Sequence, residues 1–321
     1  MMWKKYRILF VFVLFGFTDL WAQQDPQFTQ YMFNKLVYNP AFAGTTDNWQ
    51  FTFFNRSQWV SSGFSNAPVT QTFSANTPIT YKDYKMGGGI NIMNDKVGIE
   101  RNLTIVGAYA YHLSLKTGTL SFGMQLGVRQ YRINQSDINA YDKDDPIVNQ
   151  GIRAPLLPEV GIGFLYRQEK WYAGFSSMHL TQSKIKYTND FAHSKLLRHF
   201  YLMGGYDFTV HPDWKVKPSA LLNFVNGAPF QVQLTTMGEF KEMVWLGLGY
   251  RTGAAMTFNM GVNADKISEK FKEKIKIGYS FDWVLISGIP GFHNKGTHEV
   301  FIIYDLTKKE QTHIPKFKRL E

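Results

Sequence analysis

Hydrophobic and polar positions alternate along most of the chain. From Leu103 to Leu115 the odd-numbered positions are apolar or aromatic except Gly107, and the even-numbered positions are mostly small or polar. After residues 116–118 the alternation resumes from Leu120 to Val128. Because successive side chains of a strand point to opposite faces, each such segment predicts a β-strand with one apolar face and one face of small or polar residues.

The same period recurs to the end of the chain, in about 14 segments that resemble transmembrane strands. They begin near residues 49, 70, 85, 101, 118, 158, 171, 199, 214, 230, 242, 254, 274 and 297. Most have about 10 residues, the length that a tilted transmembrane strand needs, whereas strands of soluble proteins more often have about 5–6. An even number of strands is what an antiparallel barrel with both chain ends on one side requires.

The connections support the same interpretation. Long connections at 59–69, 134–156, 180–198 and 284–296 alternate with short ones at 81–84, 116–118, 168–170, 210–213 and 240–242. This alternation is typical of outer-membrane barrels, with long loops outside and tight turns inside. Two connections fit less well, since 251–253 is short and 265–273 is long and charged. Tryptophans near strand ends are expected in a membrane–water girdle, and here they are Trp49, Trp59, Trp171, Trp214, Trp245 and Trp283.

The predicted fold class is therefore all-β: a transmembrane antiparallel up-and-down β-barrel of about 14 strands, covering residues 49–306. The alternative is a large soluble β-sandwich. The water-facing side of its sheets would carry many Lys and Glu residues. The less apolar face is instead mostly Gly, Ser, Ala, Thr and Asn, which favours the interior of a narrow, filled barrel.

The first 22 residues have the pattern of a cleaved signal peptide. Lys4, Lys5 and Arg7 precede the apolar run 8–17, and Ala22 offers a small residue before the predicted cleavage point. An uncleaved membrane anchor is the alternative, but the run is shorter than the about 20 residues that a spanning helix needs. The mature chain is expected to begin near residue 23 and to lie outside the cytoplasm.

Composition excludes several functional classes. The 321 residues include no Cys, which excludes disulfides, thiolate metal sites and Cys nucleophiles. The net charge of +10 comes from 35 Lys and Arg against 25 Asp and Glu. This charge is spread along the chain, whereas a nucleic-acid-binding protein would concentrate it in a patch. The C-terminal segment 307–321 is basic, and we expect a periplasmic tail that either docks a partner or is merely solvated.

Two short motifs have alternative interpretations. The run Gly87–Gly89 is not a phosphate loop, since no Lys-Ser/Thr pair or helix pattern follows it, and it indicates a bend or a close approach of strands. Asp142, Asp144 and Asp145 offer oxygen ligands of the kind that calcium prefers. The later Gly and Glu of a complete calcium loop are missing, so a solvated acidic loop is the competing interpretation.

The histidines show no paired metal-ligand spacing. Ser–His pairs act in some barrel lipases, and here His112 lies near Ser114 and His179 near Ser177. Any barrel places some Ser near some His, so we predict a protein that is not an enzyme, with no catalytic, cofactor-binding or metal residue.

Residues 24–44, QDPQFTQYMFNKLVYNPAFAG, form a recognisable opening motif. It resembles the opening of the PorP/SprF family, membrane proteins of the bacterial type IX secretion system. The C-terminal segments Gly278–Asp282 and Gly296–Glu299 are also similar to that family. The positions that match the opening motif are Asp25, Pro26, Gln27, Tyr31, Asn39, Pro40, Ala41 and Gly44.

The resemblance implies an outer-membrane barrel that works with the type IX machinery. Some family members are needed for export or surface attachment of large adhesins with a C-terminal sorting domain, including adhesins of gliding motility, and others contact the periplasmic part of the apparatus. The implied partners are outer-membrane lipid, a secreted adhesin and other type IX components, without nucleic acid. A small-solute channel and a scaffold for the periplasmic ring remain the alternatives.

The segment 23–48 precedes the first strand. Its turn signals Asn39–Pro40 and Ala43–Gly44 and its aromatic residues predict a unit that folds into the periplasmic mouth or the lumen as a plug or cap, or that docks a partner. The long loops 134–156 and 180–198 are the predicted partner contacts.

Overall fold

The computed structural model describes residues 25–60, 66–133, 156–186, 193–253, 255–267, 273–284 and 296–306. The predicted signal peptide, the acidic loop Asp142–Asp145 and the basic tail 307–321 lie outside the described residues. The helices within these residues are short: α1 (Lys35–Tyr38), a 3-10 turn (Pro40–Phe42) and α2 (Ala264–Ile267). Across the described part of the chain, no helix has the length and apolar character that crossing a bilayer requires.

Most of the described chain is β-structure. The strands are β1 (Trp49–Ser57), β2 (Val69–Tyr81), β3 (Tyr84–Val97), β4 (Glu100–Leu115), β5 (Gly118–Ile133), β6 (Leu156–Arg167), β7 (Trp171–Met178), β8 (Lys184–Lys186), β9 (His193–Lys195), β10 (His199–Tyr206), β11 (Phe208–His211), β12 (Trp214–Val225), β13 (Gln231–Phe240), β14 (Val244–Arg251), β15 (Ala255–Asn263), β16 (Lys274–Val284) and β17 (Thr297–Leu306).

The strands form one closed antiparallel barrel. Each strand pairs with its neighbours in sequence, and β1 pairs with β17 to close the sheet. β10 and β11 together make one barrel strand that is interrupted at Asp207, and β8 and β9 form a separate hairpin. The barrel therefore has 14 strands. The predicted fold class is confirmed, and the predicted strand starts lie within about two residues of those observed, because the period-2 pattern marks each strand.

The apolar face of the strands points outward. On β4 the side chains of Leu103, Ile105 and Tyr109 are 38–44% exposed, whereas Thr104 and Ala110 on the other face are buried. This arrangement is the reverse of a soluble sheet, and it surrounds the barrel with an apolar belt suited to lipid. The alternative of a soluble sandwich is thereby rejected.

The predicted aromatic girdle is observed at most of its positions. Trp49 and Trp214 at one end of the barrel and Trp283 at the other are 46%, 48% and 56% exposed. Trp245 is an exception, and the prediction for it was wrong: its side chain is 3% exposed. Its position on β14 points it into the lumen, where it stacks with Phe301 at a ring distance of 6.2 Å.

Long and short connections emerge from opposite ends of the barrel. We call the end that carries the connections 58–68, 134–155, 179–198 and 285–296 the long-loop end, and the end with 82–83, 116–117, 168–170, 212–213 and 241–243 the short-turn end. The predicted exceptions are present, with α2 inside the long connection at the short-turn end. A further exception joins β3 to β4 by residues 98–99 at the long-loop end.

Candidate functional site in the lumen

The described residues that precede β1 run through the inside of the barrel. We call residues 25–46 the plug segment. Phe28, Tyr31, Ala41 and Ala43 in this segment have no exposed surface. Its aromatic side chains share one core with inward-facing residues of the wall such as Phe54. The plug segment starts at the long-loop end and leaves at the short-turn end, directly before β1.

The turn Asn39–Ala41 is fitted closely against the wall. The Asn39 side chain accepts the Ala41 N–H at 2.9 Å and donates to the carbonyls of Phe164 and Phe175 at 3.0 and 3.3 Å. The wall has Gly123 directly opposite, where a Cβ would overlap the plug backbone. Pro40 occupies the first position of the 3-10 turn, where a backbone N–H would have no partner within the turn, so its missing N–H loses no hydrogen bond. The turn signals of the sequence thus become a fixed contact across the lumen.

The end of the plug segment needs glycine on both sides of the contact. Gly44 has a φ of 68°, a conformation that favours glycine, and its N–H donates to Asn76 at 3.3 Å. Its Cα packs on Gly87, so the close approach at this glycine of the run is made by the plug segment and not by another strand. The ring of His112 contacts the Ala43 carbonyl at 2.9 Å.

A buried ion network holds the start of the plug segment on the wall. Glu299 accepts the backbone N–H groups of Thr29 and Gln30 at 2.9 and 2.8 Å, and it pairs with Arg56 at 3.0 Å. Arg56 also pairs with Asp282 at 2.8 Å. Arg251 is the second cation of this network and pairs with Asp282 at 2.6 Å. Two cations thus balance two carboxylates. Glu299 pairs with one cation, Arg56, and the backbone N–H groups of the plug segment supply its remaining hydrogen bonds.

A second charged group surrounds Asp25 at the long-loop end. His179 contacts Asp25 through Nε2 at 2.6 Å and Glu159 through Nδ1 at 2.7 Å, and Arg129 pairs with both carboxylates at 3.1 and 2.9 Å. Burial acts against the charged forms of Asp25 and His179, since it raises the pKa of a carboxyl group and lowers the pKa of an imidazole. The charges of His179 and Arg129 nevertheless hold the pKa of Asp25 well below its usual range. The carboxylate of Asp25 raises the pKa of His179 to about 9 against that burial.

A cavity of about 320 Å³ opens at the short-turn end, where the plug segment does not fill the lumen. Its lining includes Lys35, Arg167, Lys217 and Lys276. The Lys35 ammonium lies 4.2 Å from the centre of the Tyr172 ring. Burial, together with the neighbouring cations Lys276 and Arg167, lowers the pKa of Lys35 to about 8.

All eight predicted motif residues lie on the plug segment. Asp25 belongs to the charged group at the long-loop end and Pro26 lines a small cavity beside it. Gln27 hydrogen-bonds to Gln231, and the Tyr31 hydroxyl donates to Ser219 at 2.9 Å. The other four motif positions form the turns described above, so each of these residues contacts the barrel interior.

The sequence analysis missed the charged wall residues. One signal in the sequence could have found them: each is a charged residue at an inward position of a strand. Such a side chain needs a partner inside the lumen. The two Ser–His neighbours noted in the sequence do not pair with each other: His112 contacts Ser121 instead of Ser114, and His179 contacts carboxylates instead of Ser177. The residues missed are Arg56, Arg129, Glu159, Arg251, Asp282 and Glu299.

A closed barrel with an apolar outer belt and a filled lumen defines an integral membrane β-barrel protein. The chain matches the family model of the type IX secretion system membrane protein PorP/SprF over residues 20–304. It therefore belongs to the PorP/SprF family, and the resemblance noted in the opening motif is confirmed.

Solved structures with a similar fold are also barrels. A mutant of the monoaromatic hydrocarbon channel TodX has 11% identity and a TM-score of 0.47, covering 84% of this chain and 93% of that chain. A mutant porin of Rhodopseudomonas blastica has 10% identity and a TM-score of 0.34, covering 81% of this chain and 99% of that chain. The search of curated proteins found no match to this sequence.

Proposed function

We propose that this chain is a non-enzymatic outer-membrane component of the type IX secretion system that supports export and surface attachment of a partner protein. The partner is an adhesin with a C-terminal sorting domain, and gliding motility is one process that it serves. Residues 1–22 are removed during export to the periplasm. Membership in the PorP/SprF family supports the secretion role.

The filled lumen is the observation that favours this role over a solute channel. The plug segment is bonded to the wall at both ends, through Glu299 near its start and through Asn76 near its end. The cavities beside its first half measure only about 30 and 10 Å³. A diffusion pore needs a continuous water-filled path through the lumen. A barrel with a filled lumen can instead bind partner proteins at its two ends.

The base of the loop 179–198 is fixed on the barrel at the long-loop end. Ile185 on β8 and Leu196 beyond β9 are 1% and 8% exposed, and they pack on Tyr131 and Leu157 of the wall. We propose that the loop 179–198, together with the connection 134–155, contacts the exported partner.

Capture of partners from outer membranes tests the proposal. The tagged chain is purified in mild detergent and its partners are identified by mass spectrometry. We expect a surface adhesin with type IX components. Periplasmic secretion proteins alone would favour the scaffold, and a bare barrel would contradict the partner role.

Two shortened connections locate the contact. Replacing residues 187–192 with the two-residue turn Asn-Gly shortens the connection between β8 and β9 while allowing their pairing, and it should abolish adhesin capture. The matched control deletes residues 61–65, in another connection at the same end, and should leave capture intact. Equal capture by the two variants would refute the assignment of the loop 179–198.

A further inference from the structure

We propose that Asp25, His179 and His199 form a binding site for a divalent transition metal, of the kind that zinc represents, at the long-loop end of the lumen. One oxygen and two imidazole nitrogens make a ligand set that suits zinc. The site joins the first described residue of the plug segment to the ends of β7 and β10. It is independent of the partner role proposed above.

The three ligand atoms converge on one point. One ligand atom from each residue lies within 4.8 Å of the other two. The Asp25 Oδ2 and His179 Nε2 atoms are 2.6 Å apart, and the two imidazole rings meet edge to face at 5.2 Å. Tetrahedral zinc with bonds of about 2.0–2.1 Å holds its ligand atoms about 3.3 Å apart. Metal binding therefore requires movements of roughly 1 Å, within the reach of side-chain rotation.

The groups behind the ligands orient them toward this point. Nδ1 of His179 contacts Glu159 at 2.7 Å, and Nδ1 of His199 contacts the carbonyl of Leu197 at 3.0 Å. Arg129 holds the other oxygen of Asp25 at 3.1 Å. Metal-binding histidines usually donate their second N–H to a carboxylate or a backbone carbonyl, which leaves Nε2 free to bind. Both histidines here have that arrangement.

A proton is the competing occupant. A proton shared by His179 and Asp25 explains their short contact, but among the described residues it leaves Nε2 of His199 with the backbone N–H of Asp25, at 3.3 Å, as its one hydrogen-bond partner. A metal ion uses all three ligand atoms. Because the metal must displace the proton on His179, its affinity rises with pH. A cavity of about 30 Å³ beside Asp25 and His179 leaves room for a water as the fourth ligand.

Cobalt titration of the full-length protein tests the site. The protein is purified in detergent without a histidine tag, stripped with chelator and titrated with Co²⁺, whose tetrahedral complexes have intense visible absorption. We expect one equivalent to bind, zinc to displace it, and the bound metal to raise the unfolding temperature. No visible absorption together with an unchanged unfolding temperature would overturn the proposal and leave an ion pair with a proton at its centre.

Two variants and a matched control make the test specific. His199→Asn removes one ligand and Glu159→Gln weakens the orientation of His179, and each should lower the affinity by at least about tenfold. His211→Asn changes an exposed histidine at the short-turn end and should leave the affinity unchanged. Folding of each variant is checked by the heat-dependent gel shift of barrels. Equal affinity of folded His199→Asn and His211→Asn would refute the site.

Discussion

The contact between Gly123 and the plug turn allows a sharp test of how the lumen is filled. A Cβ added to Gly123 would lie 2.5 Å from the Cα of Ala41. Carbon atoms normally approach to about 3.5–4.0 Å, so Gly123→Ala creates an overlap of at least about 1 Å between the new Cβ and the backbone of the plug segment. Neither backbone can move away easily. The side chain of Asn39 is hydrogen-bonded to two wall carbonyls, and Gly123 on β5 is paired with β4 and β6.

Overpacking of this kind costs about 1–3 kcal/mol. Gly107→Ala is the matched control, because Gly107 faces outward on the neighbouring strand and its nearest atom to a new Cβ is 3.9 Å away. Urea unfolding of both variants in liposomes measures the difference. We expect Gly123→Ala to lose about 1–3 kcal/mol relative to Gly107→Ala. Equal unfolding midpoints and slopes would show that the plug does not press on Gly123.

Three further changes probe the ion network, the lipid face and the short-turn cavity. Arg56→Met leaves Glu299 and Asp282 with too little positive charge and should cost about 3–5 kcal/mol in urea unfolding, whereas unchanged stability would contradict the network. Leu126→Lys places a charge at mid-height on the lipid face of β5 and should cost about 2–4 kcal/mol in liposomes, with little effect if that face met water. Lys35→Met should raise the unfolding temperature at pH 7. Because the pKa of Lys35 is lowered to about 8 in the folded protein, this gain should shrink as pH rises from 8 toward the ordinary lysine pKa. A gain that does not depend on pH would mean that charge is not its cause.

The wall of the barrel could be predicted because its information is local. Each strand shows its period within about 10 residues, and lipid on one side forces the large apolar residues to that face. Contacts inside the lumen are harder to predict from the sequence. Two inward positions that face each other can hold any two side chains whose sizes and charges fit together, so the local pattern does not determine them. Trp245 illustrates the limit: its type favours the girdle, but its position on β14 points it at Phe301.

The route of the plug segment could be predicted only in part. The signals Asn39–Pro40 and Ala43–Gly44 mark turns, and the structure has turns there. The contact between Asp25 and His179 joins positions 154 residues apart, so no spacing within a motif reports it. His199 reaches the same point from the start of β10, the strand that pairs with β7. The pairing of β7 with β10 and the entry of the plug segment into the lumen bring these three residues together, which explains why histidine spacing alone did not indicate a metal site.

Ion conductance of the intact protein in planar bilayers tests the central claim, that the plug segment closes the lumen. The account predicts no steady current, because residues 25–46 are bonded to the wall at the Glu299 network and at the Asn39 turn. It also predicts that Gly123→Ala produces intermittent openings while Gly107→Ala remains silent. A steady ohmic current through the unaltered protein would contradict the closed lumen and favour the channel.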